Sequence, residues 1–101
     1  MAMIVVIGSF RVPPSMVDMV ESAMEPMIAA SRAEEGCIEY AYALDVLDEG
    51  LVRVSEKWRD RAALEAHFRT AHIAEWRAQV SALAMTEREL IAYEVDEGFY
   101  I

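Results

Sequence analysis

Residues 3–12 are apolar on both strand parities, with Met3, Val5 and Ile7 on one side and Ile4, Val6 and Phe10 on the other. Such a strand has to be covered on both faces, so whatever follows must supply two covers. Pro13-Pro14 stops the strand, because proline brings no N–H to a ladder. Ser15 is placed to cap a helix with Asp18 three residues on, and Val17, Val20, Met24, Met27, Ile28 and Ser31 then recur at helical spacing. Pro26 interrupts this stripe and predicts a kink or break near Ser22 to Pro26.

Gly36 is a helix terminator, after which residues 37–46 alternate a bulky set, Ile38, Tyr40, Tyr42 and Leu44, with a smaller set, Cys37, Glu39, Ala41 and Ala43. Leu47-Asp48-Glu49-Gly50 is short enough for a hairpin into 51–59, where Val52, Val54, Glu56 and Trp58 share a parity. Asp60 caps a second helix with Leu64, His67, Phe68 and Ala71 on one stripe, Thr70 caps a third bearing Ile73, Trp76, Val80 and Leu83, and 85–95 form a fourth strand. The order βαββα(α)β predicts an α+β, ferredoxin-like fold over 1–101 as a single domain, an antiparallel sheet with helices on one face. Helices cannot cover both faces. The second cover for the first strand is therefore expected from another copy, as a homodimer through the sheet face that forms a dimeric α+β barrel.

Composition narrows the class. Hydrophobic residues make up 55% of the chain, yet no uncharged apolar run approaches the ~18 residues of a membrane span, so no membrane is expected and self-association absorbs the surplus. With 18 acids against nine bases the formal charge is −9 and no basic cluster is present; phosphate backbones are repelled, and nucleic acid is not a partner. One cysteine cannot make an internal disulfide, and Met1-Ala2-Met3-Ile4 lacks the basic region of a signal peptide, so a cytoplasmic setting is expected.

Chemistry concentrates in 34–76, the one stretch where Trp, Tyr, His and acids occur together. His67 on its apolar stripe reads either as a general base tuned by burial or as a hydrogen-bonded core histidine. His72, near a helix start, either holds a substrate hydroxyl or helps cap a turn. Glu56, on a buried parity, needs a partner: it orients His67, or it pairs with Arg53, Lys57 or Arg11. Trp58 and Tyr40 serve as flat walls for an aromatic ligand or as core fillers. His67 and His72 are five apart, about 140° from eclipsed on a single helix, so no metal is expected at them with Glu56. Cys37 reads as a small buried hydrophobe, and Met16, Met19, Met24 and Met27 as a pliable pocket roof or as core.

Ser31-Arg32-Ala33-Glu34-Glu35-Gly36-Cys37-Ile38-Glu39-Tyr40, then Glu56-Lys57-Trp58, then Ala66-His67 and Thr70-Ala71-His72, resemble the antibiotic-biosynthesis monooxygenase (ABM) domains, small dimeric α+β-barrel proteins. In order and spacing the likeness runs over nearly the whole chain. It departs from the haem-degrading branch, since His67 falls where those relatives have a Trp and Arg77 where they have a His. No Asn occurs anywhere in the chain, so the Asn-assisted chemistry of polyketide oxygenases does not carry over. The quinol-monooxygenase-like branch is the nearer match. The resemblance implies a monooxygenase that needs no cofactor and acts with O2 on a quinol or other electron-rich aromatic, with His67 as base, Glu56 as orienting acid, and Trp58, Tyr40, His72 and Phe68 around the substrate. Two alternatives remain beside it: an acid/base isomerase or dehydratase of a small carbonyl compound using His67 and His72, and a non-catalytic dimeric ligand-binding domain.

Overall fold

The computed structural model describes residues 2–101. Its elements run β1 (Met3–Arg11), α1 (Val17–Arg32), β2 (Cys37–Leu44), β3 (Leu51–Trp58), α2 (Arg61–Phe68), α3 (Ala71–Val80) and β4 (Thr86–Val95), with short 3-10 turns at Pro14–Met16 and Ser81–Leu83. The four strands form one sheet in the order β2-β3-β1-β4, antiparallel throughout. This is the ferredoxin-like βαββααβ arrangement, with the apolar first strand in the middle.

Alternation decides which face is which. Ile4, Val6 and Phe10 of β1, Tyr40 of β2, and Val52, Val54, Glu56 and Trp58 of β3 are buried on the face that the helices cover. Val20, Met24, Met27 and Ser31 of α1, Ala63, Leu64 and His67 of α2, and Ile73 and Trp76 of α3 meet them. On the opposite face Ile7 pairs with Ile91 and Val5 with Tyr93 across β1 and β4; Ile7, Ile91 and Tyr93 are about half exposed there. Among the described residues no helix is long and apolar enough to cross a membrane.

Three local expectations are corrected. Helix α1 runs through Pro26 without a break: tertiary packing of Met24 and Met27 on either side outweighs the lost N–H. Ser15 lies within the 3-10 turn and makes no capping bond, and α1 begins at Val17 with no side-chain cap. Strand β2 ends at Leu44 rather than 46, because the Asp45 carboxylate accepts from the Leu47 N–H and turns the chain. The caps at Asp60 and Thr70 are present, Asp60 accepting from Ala63 N–H at 2.8 Å and Thr70 from Ile73 N–H at 3.4 Å.

Two glycines shape the space between layers. Gly8 stands opposite Val54 and Leu90 in its two pairings, and a Cβ there would lie 2.7 Å from Leu90 Cα and 2.8 Å from its Cγ, so only a bare backbone admits Leu90. Gly36 adopts φ +85°, and a Cβ on it would meet Ala63 Cβ at 2.6 Å. A left-handed residue that also packs against a helix is where glycine has no substitute.

Candidate active site

Between the sheet and helices α2 and α3 lies a cavity of about 490 Å³, bordered by Tyr40, Tyr42, Glu56, His67, Phe68 and Trp76 and closed by Val6, Leu64, Ile73, Val80 and Leu90, with Arg77 and Arg88 also on its wall. It has the size of a small-molecule site, and its lining mixes apolar and aromatic side chains with polar groups in comparable measure.

Its sheet wall follows from register. Glu56 of β3 faces Tyr40 of β2 on one side and Val6 of β1 on the other, so one row across the sheet carries a phenol, a carboxyl and an alkyl group. Tyr42 stacks on Tyr40, ring centroids 5.6 Å apart, and their hydroxyls lie 3.4 Å from one another. Burial raises the pKa of both phenols, far out of reach for Tyr40, so both stay protonated. The helix wall is set by the break between α2 and α3. Thr70 bonds back through Oγ1 to the His67 carbonyl at 2.8 Å and caps α3 with the same oxygen.

That break decides the histidines. His67 ends up on α2 and His72 on α3, so the angle computed for one continuous helix does not apply. Both converge on Glu34, whose Oε2 lies 2.6 Å from His67 Nδ1 and 2.8 Å from His72 Nε2. Glu34 is held by the turn after α1, with its N–H donating to Ser31 O and its carbonyl accepting from Cys37 N–H. The turn is completed by Gly36, whose left-handed backbone brings β2 back toward α1. With Nδ1 committed to a carboxylate as donor, Nε2 is the nitrogen of His67 left to face the cavity. The ring itself is clamped between Trp58 at 4.6 Å and Tyr40 at 5.4 Å, centroid to centroid, with Phe68 at 6.0 Å. Burial lowers the His67 pKa, the nearby Glu34 opposes this, and the net shift is downward, which leaves a neutral imidazole at pH 7.

The other anticipated residues fall into three groups. Tyr40 and Phe68 border the cavity, as does Glu56. Glu56 does not orient His67, and it pairs with no arginine or lysine: its Oε1 accepts from Trp58 Nε1 at 2.9 Å, and burial raises its pKa. Trp58 is fully buried behind His67 and is a backing for that ring rather than a wall of the cavity. His72 reaches no part of the cavity; it opens instead on a groove between α1 and α3 lined by Pro26, Met27, Glu75 and Gln79. None of the four α1-side methionines lines the cavity; Met24 and Met27 are core. Cys37 is free and partly buried, its thiol pushed up by burial. Glu34 is the functional candidate that periodicity missed. It sits in the Glu-Glu-Gly-Cys turn after α1, where no periodic signal tells Glu34 from the exposed Glu35.

Glu34, His67 and His72 are also the one group of metal-ligand type among the described residues, their donor atoms within 4.8 Å of one another. A divalent ion needs about 2.0–2.2 Å to each ligand, whereas one carboxylate oxygen here occupies the space between two ring nitrogens at hydrogen-bond lengths. The donor set as arranged is suited to protons.

The family model of antibiotic biosynthesis monooxygenase matches residues 3–79. The chain belongs to this family. Among ABM relatives, YcnE of Bacillus subtilis (strain 168), named as a candidate monooxygenase, is 30% identical over 95 residues, covering 94% of this chain and 100% of YcnE. The uncharacterized protein sll1783 of Synechocystis is 32% identical over 94 residues, 93% of this chain, and the match spans only 64% of sll1783. The crystal structure of an ABM candidate from Deinococcus radiodurans superposes with a TM-score of 0.90 over 97% of each chain at 20% identity, which bears on the fold alone.

Proposed function

We propose that this ABM chain is a cofactor-independent monooxygenase of a quinol or other electron-rich aromatic, with His67 as its base. One observation carries the reading: His67, held through Nδ1 by Glu34, borders a cavity walled by Tyr40, Tyr42, Phe68 and Trp76. His67 takes the proton of a ring hydroxyl, and the aryloxide is a far better one-electron donor than the phenol. One electron passes to O2, and the resulting radical pair joins through a new C–O bond at the ring. His67 returns its proton to the peroxide, whose O–O bond breaks with loss of water to leave a ring carbonyl. A quinol plus O2 thus becomes a hydroxyquinone plus H2O, and the substrate supplies all four electrons. The protein's share is a base, orientation and a water-poor space. Glu56, a buried carboxyl on the same wall, is a second proton-exchanging group. The chain Nε2 of His67, Glu34, His72 leads from the cavity to the partly open α1–α3 groove and lets protons equilibrate with solvent away from the substrate's entrance.

The same proposal includes a single domain over 1–101, a homodimer through the exposed face of β1 and β4, and a cytoplasmic setting. His72 is turned away from the cavity, which speaks against an isomerase using both histidines as its acid and base. The test is oxygen uptake by the pure protein with menadiol and related quinols, beside His67→Ala. Uptake at the buffer rate for every quinol, or an undiminished rate in the variant, overturns the assignment.

A further inference from the structure

Most of the chain's nine bases are engaged. Arg11 pairs with Asp48 and Glu87, Arg53 with Asp45, Arg59 with Glu35 and Asp60, Arg61 with Glu94, and Arg32 donates to the Tyr40 carbonyl. Lys57, Arg69, Arg77 and Arg88 make no ion pair among the described residues, although 18 acids are present, and of these four Arg77 and Arg88 border the cavity. They reach it from opposite walls, Arg77 from α3 and Arg88 from β4. Both are exposed while His67 and Glu56 are buried, so the cations mark the outer end of the cavity and the proton-handling groups its inner end. Arg77 lies over the Phe68 ring, 5.7 Å from its centroid, an aromatic platform that holds a guanidinium at a rim without neutralising it.

Resting on the reading of this cavity as an aromatic-binding site, we propose that its substrate is an aromatic that bears a carboxylate or equivalent anion at the end remote from the hydroxyl meeting His67, and that Arg77 and Arg88 bind that anion. On a chain of net charge −9 an anion is repelled almost everywhere, and two guanidiniums without an ion pair at the mouth of one cavity concentrate it there. Guanidinium also offers the fork that matches a carboxylate. Arg88 is near enough to Glu56 to act on its charge. A role confined to packing on Phe68, in the case of Arg77, would affect charged and neutral ligands alike.

The test measures binding without turnover, by titration calorimetry with the redox-inert pair 6-hydroxy-2-naphthoate and 6-hydroxy-2-naphthamide. The wild type is expected to bind the naphthoate about tenfold tighter, as two partly exposed ion pairs allow. Arg77→Gln and Arg88→Gln each lose part of that preference, and the double variant binds both alike with its amide affinity kept. The preference also shrinks as salt rises from roughly 0.05 to 0.5 M, a readout on the wild type that stands even if a variant fails to fold. Equal affinity in the wild type, a preference that survives in a folded double variant, or binding of neither compound overturns the proposal. A protein that oxidises menadiol yet binds the pair equally refutes this inference alone; one inert to quinols that still prefers the naphthoate refutes the oxygenase reading alone.

Discussion

Glu34 Oε2 and His67 Nδ1 are 2.6 Å apart across a sequence separation of 33 residues, and this contact fixes which nitrogen of the imidazole faces the cavity. Replacing Glu34 by Gln is nearly isosteric, but an amide presents its NH2 group to Nδ1 as readily as its oxygen. That choice puts the proton on Nε2 and removes the base. Glu34→Gln is expected to lower kcat with quinols on the order of 10²-fold, the lower end of what a positioned base contributes, with little change in KM. Nitrogen NMR of His67 reads the tautomer directly. A kcat within twofold of wild type, with Nε2 still unprotonated, contradicts the role given to Glu34.

The downward shift of His67 has a definite sign in stability. The unfolded chain binds a proton at the ordinary histidine pKa of about 6.5, whereas the buried ring resists protonation until lower pH. Above about 6.5 both states are neutral and the group contributes nothing. As pH falls below it, the unfolded state gains protons first and stability declines until the folded pKa is passed. Glu56 works in the opposite direction: its raised pKa costs stability once pH rises above the unfolded carboxyl value. Urea unfolding from pH 7 to 5 should therefore show the wild type losing stability relative to His67→Gln, since Glu56 contributes alike to both and only the wild type carries the His67 penalty. The profile of kcat/KM should rise to a plateau with its inflection below 6.5; an inflection above 7 would rule out a desolvated His67 as the base.

Element order, the buried parity of Val52, Val54, Glu56 and Trp58, and the caps at Asp60 and Thr70 were all legible in the sequence, because each is a local pattern that packing reinforces. The site was less so, for two physical reasons. Carboxylate partners are chosen by tertiary approach: Glu56 shares a strand with Trp58 and bonds its indole, while the acid that meets His67 comes from a turn after α1 whose sequence has no period. The distance between His67 and His72 depends on where a helix stops, and Thr70 stops it midway between them. Trp58 and His72 were placed with the right neighbours but on the wrong side of His67, since parity locates a side chain on a face and not before or behind a ring.

Hydrogen-bond spacing at Glu34 leads to a prediction about metals. An ion seated among Glu34, His67 and His72 would displace both shared protons and occupy His67 Nδ1, leaving no proton path to His72. Extended dialysis against EDTA is expected to leave oxygen uptake unchanged, and added Zn²⁺, which favours imidazole and carboxylate ligands, to inhibit. Loss of activity on chelation, restored by a divalent ion, would replace the proton-based mechanism with a metal-based one.

The register of β1 against β4 makes the dimer proposal accessible to single substitutions. Ile7 stands opposite Ile91, each about half exposed on the parity that faces away from the cavity, so a lysine at either position reaches solvent in a monomer and is buried in a sheet-to-sheet dimer. An unpaired charge in such an interface costs several kcal/mol, enough to dissociate a typical small assembly. Sedimentation of the wild type at tens of micromolar is expected to give twice the 11.4 kDa chain mass, and Ile7→Lys or Ile91→Lys the single mass with far-ultraviolet dichroism preserved. Because Val6, Leu90 and Glu56 line the cavity from the other parity, naphthoate binding should persist in a folded monomeric variant. A wild type that sediments as a monomer, or lysine variants that remain dimeric, would assign the exposed β1–β4 face some other role.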